Sequence, residues 1–217
     1  MVIGKKLLIF DLDGTLVNTV KDLNAAINYS FEKNNFPLKS VEHTSRVIGN
    51  GIAITLKRSV PESVDEEVLK KVLKDFRFYY KDHYLDESYA YKGMKETLIE
   101  LKQRGYLLAV ATNKLDEIAK KMINTLYPNI FDIVQGNALD KPVKPDPFTI
   151  NHIIDVLSID RSGVTYIGDS EVDIESASNA DVNLLLVDYG FHRNNEFVNL
   201  YPNKHIKSPE ELLELFK

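Results

Sequence analysis

The stretch that decides the fold is "LLIFDLDGTLV", residues 7–17. Its first four residues are all apolar, and two aspartates, a glycine and a threonine follow almost at once. A run that is apolar throughout, instead of alternating with polar residues, is expected for a parallel strand that is covered on both faces. Because a polar turn is the ordinary end of such a strand, the aspartates alone do not establish a functional site.

Apolar runs of the same kind return further along the chain. They cover residues 107–111, 164–167 and 184–187, with a weaker run at 130–134. Helical patterns lie between them and begin near Leu115, Pro147 and Glu171. Strands that alternate with helices predict an α/β fold with a doubly wound, Rossmann-like parallel sheet.

The spacing of the first two apolar runs predicts an inserted domain. About a hundred residues separate Phe10 from Leu107, whereas a crossover helix between parallel strands needs about a dozen. Apolar residues recur at helical spacing from Val20 to Phe31 and again between positions 68 and 80. The second of these helices has Ser63 and Glu66 at capping-box spacing, which predicts that it begins there.

This pattern divides the chain into two predicted domains. Residues 1–16 and 88–217 form the α/β core, and residues 17–87 form a small helical cap domain that could move as a lid.

The composition narrows the classes of function. The 217 residues are 44% hydrophobic and carry 27 basic and 32 acidic side chains, for a net charge of -5. A mildly acidic chain without a basic face argues against a nucleic-acid partner. The absence of cysteine excludes disulfides and thiolate chemistry, and no apolar run is long enough for a signal-peptide core or a membrane span. We therefore expect a cytoplasmic protein with neither nucleic acid nor membrane as partner.

Polar clusters stand where three of the apolar runs end. They are Asp11, Asp13, Gly14 and Thr15; Thr112, Asn113 and Lys114; and Asp169, Ser170 and Asp173. A fourth cluster, "KPVKPDP" at 141–147, is a proline-stiffened loop before the third run. Because ligands of open parallel sheets bind beyond the carboxyl ends of the strands, these clusters together predict one site.

The residue types in these clusters favour a magnesium site. Like charges gathered in one place are costly unless a cation neutralises them, and the oxygen ligands Asp11 and Asp169 suit Mg²⁺. A calcium loop of the EF-hand type is excluded by register, because Gly14 is fourth from Asp11 where that loop requires glycine at the sixth position.

Phosphoryl transfer is a chemistry that gives a role to four residues of these clusters. The Asp11 carboxylate could attack phosphorus, and Asp13, two residues further on the same face of an extended segment, could act as acid and base. The Thr112 hydroxyl and the Lys144 ammonium could hold the oxygens that are not transferred.

The sequence resembles the haloacid-dehalogenase-like phosphatases over nearly its whole length. "DLDGTLV", "ATNK", "KPDP" and "GDSEVD" look like the four ordered motifs of that family. The resemblance implies that Asp11 is the nucleophile and that Asp13 is the acid and base, with its backbone carbonyl on the metal. It further implies that Thr112 and Lys144 stabilise phosphate and nucleophile and that Asp169 binds the metal.

The same motifs imply roles for the remaining residues of these clusters. Asp173, with Ser170, would support the metal site from one layer behind the ligands. The substrate would be bound by Gly14, Thr15 and Asn113.

The insert resembles the cap of phosphoglycolate phosphatases in the segment "RVIGNGIAITLKRSV". By that likeness Gly49, Asn50 and Gly51 contact the substrate, and Arg46 pairs with a substrate carboxylate. The implied activity is Mg²⁺-dependent hydrolysis of a small phosphorylated substrate, with 2-phosphoglycolate first, by a monomer or homodimer.

Several alternatives remain open from the sequence. A sugar phosphomutase, a pyrophosphatase or a nucleotide phosphatase could use the same fold. A phosphonate hydrolase would need a cap lysine, for which Lys57 is the nearby residue. A phosphate-binding module without turnover would lack a catalytic residue, and none is missing. His192 and Arg193 follow the last apolar run and could approach the site, but the sequence favours their interpretation as exposed loop residues.

Overall fold

The computed structural model describes residues 6–138, 141–191 and 204–217. His192 and Arg193 lie outside these residues. The described ranges contain eight strands: β1 Leu7–Phe10, β2 Val17–Asn18, β3 Tyr89–Ala90, β4 Leu107–Leu115, β5 Ile133–Asn137, β6 Val164–Gly168, β7 Asn183–Val187 and β8 His205–Ile206.

Nine helices accompany the strands within the same described residues. They are α1 Val20–Lys33, α2 Val41–Val47, α3 Ile52–Ser59, α4 Glu66–His83, α5 Met94–Gln103, α6 Asp116–Leu126, α7 Phe148–Leu157, α8 Glu171–Asn179 and α9 Leu212–Leu215. Short 3-10 turns at Arg161–Gly163 and Pro209–Glu211 precede β6 and α9. None of the described helices is both long and apolar enough to cross a bilayer.

Six strands form one parallel sheet in the order β5-β4-β1-β6-β7-β8. Strand β1 lies at its centre, and its four residues are all buried. Leu8 and Phe10 pack in the apolar cluster that includes α5 and α6, whereas Leu7 and Ile9 pack in the cluster that includes α7 and α8. Helices therefore cover both faces, and the predicted doubly wound α/β sheet is confirmed.

Some strand boundaries differ from the sequence-based expectation. Strand β4 continues past Ala111 to Leu115, with an irregular register against β5, so the polar "TNK" segment extends the strand instead of following it. The weak run expected at 130–134 begins three residues later, as β5. The edge strand β8 was not predicted, because two residues are too few to give a pattern.

Helices α1–α4 stand between β2 and β3, which pair antiparallel and join the insert to the sheet. Helices α1 and α4 pack together and bury Phe31, Val72 and Phe76. Helix α4 is capped by Asp65, whose carboxylate accepts from the backbone N–H of Val68 at 2.8 Å. The capping-box start expected at Ser63 is therefore wrong by two residues.

The division of the chain at 17–87 stays a proposal. Ile118 of α6 is buried in the cluster formed by the insert helices, and Leu115 packs against it. The insert is consequently in apolar contact with the end of β4 and the start of α6.

Candidate active site

Asp11 stands directly after β1, where its backbone N–H still donates to the carbonyl of Ile167 in β6 at 2.8 Å. The residue is 6% exposed. Its Oδ1 lies 2.9 Å from Lys144 Nζ and accepts no hydrogen bond of good geometry from the described residues. Burial raises the pKa of the Asp11 carboxyl to about 7, with Lys144 opposing the shift and Asp173 adding to it.

Lys144 connects Asp11 with the third polar cluster. The residue is 2% exposed, and its ammonium donates to Asp173 Oδ1 and to the Tyr166 hydroxyl, both at 2.8 Å. Burial by itself would lower the pKa of this ammonium, but the charges of Asp11 and Asp173 outweigh burial and raise it. The lysine is therefore a buried, permanently charged group between two carboxylates.

Asp173 lies in the first turn of α8, and hydrogen bonds occupy its carboxylate fully. Its Oδ2 accepts from the Ser170 hydroxyl at 2.7 Å and from the backbone N–H groups of Asp169 and Ser170 at 3.1 Å. Despite complete burial, these donors and above all Lys144 lower its pKa. Asp173 fixes the turn that presents Asp169.

Asp169 is held by the segment that follows β1. The Thr15 hydroxyl donates to its Oδ1 at 3.3 Å, and the backbone N–H of Phe191 donates to its Oδ2 at 2.8 Å. Gly14 has φ +88°, and a Cβ built there would overlap the Asp169 carboxylate. The structure therefore places Gly14 and Thr15 against Asp169, and glycine is required at position 14 for this close approach.

The three buried carboxylates fit a divalent cation. One oxygen from each of Asp11, Asp169 and Asp173 lies within 4.8 Å of the other two. In the part of the chain that the structure describes, Lys144 is the cation beside the Oδ1 of Asp11. An all-oxygen set of this charge suits Mg²⁺. Asp173 accepts from Lys144, Tyr166, Ser170 and two backbone N–H groups. Because this set of donors saturates Asp173, Asp11 and Asp169 are the carboxylates that would hold the ion.

The Asp13 side chain lies outside this carboxylate group. Its Oδ1 accepts from the Thr19 hydroxyl at 2.6 Å and from Lys114 Nζ at 2.8 Å. Lys114 also donates to the hydroxyl of Tyr80 on α4 at 2.7 Å. The metal contact expected for Asp13 is made by its backbone carbonyl and not by its side chain. The carboxylate is therefore available for proton transfer.

Sequence reasoning missed the network around Asp13. Thr19 and Tyr80 are buried, and neither belongs to a motif that would indicate a function. Lys114 was noticed as part of "TNK" but received no role. Burial raises the pKa of Tyr80 to about 12. Burial alone would lower the pKa of Lys114, but the negative charge of Asp13 outweighs this effect and raises it. Both groups therefore hold their protons at neutral pH.

Thr112 and Asn113 lie at the end of β4. The Thr112 hydroxyl is buried and accepts from the backbone N–H of Lys114 at 3.3 Å. The Asn113 amide donates to the carbonyls of Gly49 and Lys144 at 3.0 and 3.1 Å, and its oxygen accepts from the N–H of Lys144 at 2.8 Å. Asn113 thus links the insert to the Lys144 loop.

The substrate contacts predicted in the insert divide into two groups. Gly49 and Gly51 line the cavity above the site. Asn50 instead accepts a hydrogen bond from Arg58 at 2.8 Å, and Arg46 pairs with Glu42 on the solvent side of α2, with 74% of its side chain exposed. This position does not support Arg46 as the ligand of a substrate carboxylate.

A cavity of about 70 Å³ lies between the sheet and the insert. At about 10–15 Å³ per water molecule, it holds a small molecule. Its floor is polar and its roof largely apolar. The lining residues are Asp11, Asp13, Leu23, Ile48, Gly49, Gly51, Ile52, Thr55, Phe76, Tyr80, Thr112, Asn113, Lys114, Leu115, Ile118, Asp169, Ser170 and Phe191.

A parallel sheet with this acidic and lysine-containing edge is typical of a hydrolase that acts on phosphate. The family model described as haloacid dehalogenase-like hydrolase matches residues 8–187, and the chain belongs to this family.

Two relatives show how close the likeness is. The chain is 31% identical over 197 residues to the phosphoglycolate phosphatase of Pasteurella multocida, with 87% of this chain and 88% of the relative covered. It is 29% identical over 205 residues to that of Aliivibrio fischeri, with 91% and 90% covered.

Solved structures agree with these sequence matches. A crystal structure from Haemophilus somnus, described as a predicted phosphoglycolate phosphatase, superposes with a TM-score of 0.90 at 28% identity over the full length of both chains. A predicted phosphatase from Clostridium acetobutylicum gives 0.86 at 26% identity, with 97% of each chain covered. The expectation of a phosphatase similar to phosphoglycolate phosphatases is confirmed.

Proposed function

We propose that this phosphatase hydrolyses a small phosphomonoester through a covalent phosphoryl group on Asp11, with Mg²⁺ as cofactor and 2-phosphoglycolate as the leading substrate. The convergence of Asp11, Asp169 and Lys144 on one buried site carries the proposal. Three parts of the chain supply these residues, and packing alone would not gather such charges.

In the first step an oxygen of Asp11 forms a bond to phosphorus, and the bond from phosphorus to the ester oxygen breaks. Asp13, in its protonated form, gives its proton to the departing alkoxide. The Lys144 ammonium, 2.9 Å from Asp11 Oδ1, orients the attacking carboxylate, and the buried Thr112 hydroxyl stands ready to donate to a phosphoryl oxygen.

In the second step Asp13, now ionised, takes a proton from a water molecule whose oxygen attacks phosphorus. The bond between phosphorus and Asp11 breaks, inorganic phosphate leaves, and both carboxyl groups return to their starting states. Bound Mg²⁺ would supply charge neutralisation and hold the phosphoryl group in line, with Asp11, Asp169 and the backbone carbonyl of Asp13 as its ligands.

The substrate is a finer proposal than the reaction. Relatives about 30% identical to this chain are named phosphoglycolate phosphatases, and the cavity has room for a small leaving group. A cytoplasmic location and a monomeric or homodimeric state remain expectations of the proposal.

Replacement of Asp11 by Asn tests the reaction. We expect the kcat for 2-phosphoglycolate to fall on the order of 10⁴-fold or more, because an amide cannot act as the nucleophile. The wild-type rate should disappear when EDTA removes divalent ions and return with Mg²⁺. Asp155→Asn, an exposed change on α7, is the matched control and should leave the rate unchanged. Turnover by Asp11→Asn within tenfold of wild type would contradict the proposal.

A further inference from the structure

Lys114 is a cationic side chain built into the wall of the cavity. It stands near the end of β4, is 8% exposed, and lines the cavity together with Asp11 and Asp13. An ammonium group has three N–H donors. Asp13 and Tyr80 accept two of them, at 2.8 and 2.7 Å, and the Tyr80 ring also lies against the charge, 4.9 Å from Nζ to its centroid.

The remainder of the cavity offers little to an anion beyond the phosphate site. Among the described lining residues, Lys114 is the only lysine or arginine. The roof is formed largely by apolar side chains such as Leu23, Ile48 and Phe76. Arg46, the cation expected from the sequence to meet a substrate carboxylate, is exposed and paired with Glu42.

We propose that Lys114 binds an anionic group, a carboxylate, on the leaving group of the substrate and so determines specificity. This inference rests on the proposed function and deepens it. The third donor of the Lys114 ammonium contacts the carboxylate while Asp13 and Tyr80 keep the lysine in place. Tyr80 is a positioning residue, because it acts through Lys114 and reaches it from helix α4 of the insert.

The position of Lys114 fixes how far this carboxylate lies from the ester oxygen. Asp13 must contact the ester oxygen to protonate it, and Lys114 Nζ is 2.8 Å from Asp13 Oδ1. A carboxylate bonded directly to the carbon that bears the ester oxygen, as in 2-phosphoglycolate, would therefore reach the ammonium. Longer leaving groups would carry their charge past Lys114 into the apolar roof, where it would lack a partner.

The test compares two substrates that differ in this carboxylate alone. Ethyl phosphate has the same two-carbon leaving group as 2-phosphoglycolate but no charge on it. We expect wild-type enzyme with Mg²⁺ to show a kcat/KM for 2-phosphoglycolate at least about tenfold above that for ethyl phosphate. In Lys114→Met the ratio of the two values should fall at least about tenfold, towards one. Tyr80→Phe, which keeps the ring, should lower the ratio by a smaller factor.

The ratio separates binding of the carboxylate from a structural role. Loss of the contact with Asp13 should slow both substrates in Lys114→Met, whereas only carboxylate binding changes their ratio. An unchanged ratio in a folded Lys114→Met protein would overturn the inference. A wild-type enzyme without preference for 2-phosphoglycolate would also overturn it, and this measurement needs no variant. If ethyl phosphate is still hydrolysed in a manner that depends on Asp11, the proposed reaction stands although the inference fails.

Discussion

The edge of the sheet and the wall of the helical insert use opposite kinds of residues around the same cavity. At the sheet edge, Asp11, Asp169 and Lys144 are almost fully buried and lie against one another or their neighbours. In the insert, the cavity is lined mainly by apolar side chains, and Arg46 is turned to solvent. We infer that the sheet edge supplies the chemistry and that the insert supplies the shape of the site.

This difference has an energetic consequence. Removing one member of a buried charge pair leaves the other charge without compensation, which typically costs several kcal/mol. Removing one member of an exposed pair costs little, because water and salt already screen it. Substitutions at the sheet edge should therefore have large effects, and polar substitutions on the outer face of the insert small ones.

Among substitutions that leave the nucleophile in place, the largest effect is expected for Lys144→Met. Two carboxylates would lose their buried counter-charge, and a phosphoryl oxygen would lose a donor. We expect kcat to fall about 10²–10³-fold and the free energy of unfolding to fall by about 3–5 kcal/mol. Steady-state kinetics and urea denaturation measure the two effects.

Lys141→Met is the control for that change. Lys141 belongs to the same loop but is exposed and lies over the ring of Phe148. The kcat of Lys141→Met should stay within about twofold of wild type, because the substituted residue is exposed. If kcat falls less than tenfold in Lys144→Met, the contrast between the buried sheet edge and the exposed surface would be contradicted.

The next largest effect concerns the pH dependence of stability without metal. The pKa of Asp11 is about 7 in the folded protein, above its ordinary value of 3.8. Between about pH 4 and pH 7, Asp11 is therefore protonated in the native state and ionised in the unfolded chain. The free energy of unfolding consequently falls as the pH rises through this range. Asp11→Asn, which stays neutral, lacks this loss.

In EDTA at pH 8 we expect Asp11→Asn to be more stable than wild type by on the order of 3 kcal/mol, and the difference to shrink towards pH 4. Urea denaturation at several pH values measures it. Mg²⁺ should also reduce the difference at pH 8, because the ion stabilises ionised Asp11. If wild type is more stable than Asp11→Asn at pH 8 in EDTA, the inference that ionised Asp11 destabilises the metal-free protein would be contradicted.

A smaller effect is expected for Asp173→Asn, which alters the support of the metal site without removing a ligand. In this variant an amide NH2 group replaces one carboxylate oxygen, and the negative charge beside Lys144 and the Ser170 turn is lost. We expect the apparent affinity for Mg²⁺ to fall about 10–100-fold, measured by the Mg²⁺ dependence of kcat/KM and by calorimetry. The control is Glu175→Gln, an exposed change on the same helix, which should leave this affinity unchanged. Equal affinities for Mg²⁺ in the two variants would show that Asp173 does not support the metal site.

The smallest effect is expected for Arg46→Ala. Its ion pair with Glu42 is exposed on both sides, and such pairs contribute about 0.2–1 kcal/mol. We expect kcat/KM for 2-phosphoglycolate to stay within about twofold of wild type. A loss of tenfold or more would restore Arg46 as a ligand of the substrate and would break the contrast between the insert and the sheet edge.

The sequence predicted the centre of the fold because the signal there is local. The continuous apolarity of Leu7–Phe10 reflects burial on both faces of a central strand. The polar residues that follow Phe10 and Ile167 meet because neighbouring parallel strands end at the same edge. Both inferences need only strand direction and pairing, which the pattern of the chain supplies.

The sequence could not predict features that depend on side chains meeting across the fold. Lys114 and Tyr80 form a pair only because α4 packs over the end of β4. The direction of Arg46 depends on the rotational position of α2, a helix of seven residues, which a short pattern does not determine. The edge strand β8 depends on pairing with β7 rather than on a pattern of its own.

The most direct test of the central claim is to locate the phosphoryl group on the protein. The variant Asp13→Asn should react with p-nitrophenyl phosphate, whose leaving group needs no acid, but should hydrolyse the covalent intermediate slowly. After an acid quench and borohydride reduction, peptide mass spectrometry should find homoserine at position 11 in an amount that matches the burst of p-nitrophenol. A burst without this product, or with the modification at another residue, would contradict the assignment of Asp11 as the nucleophile.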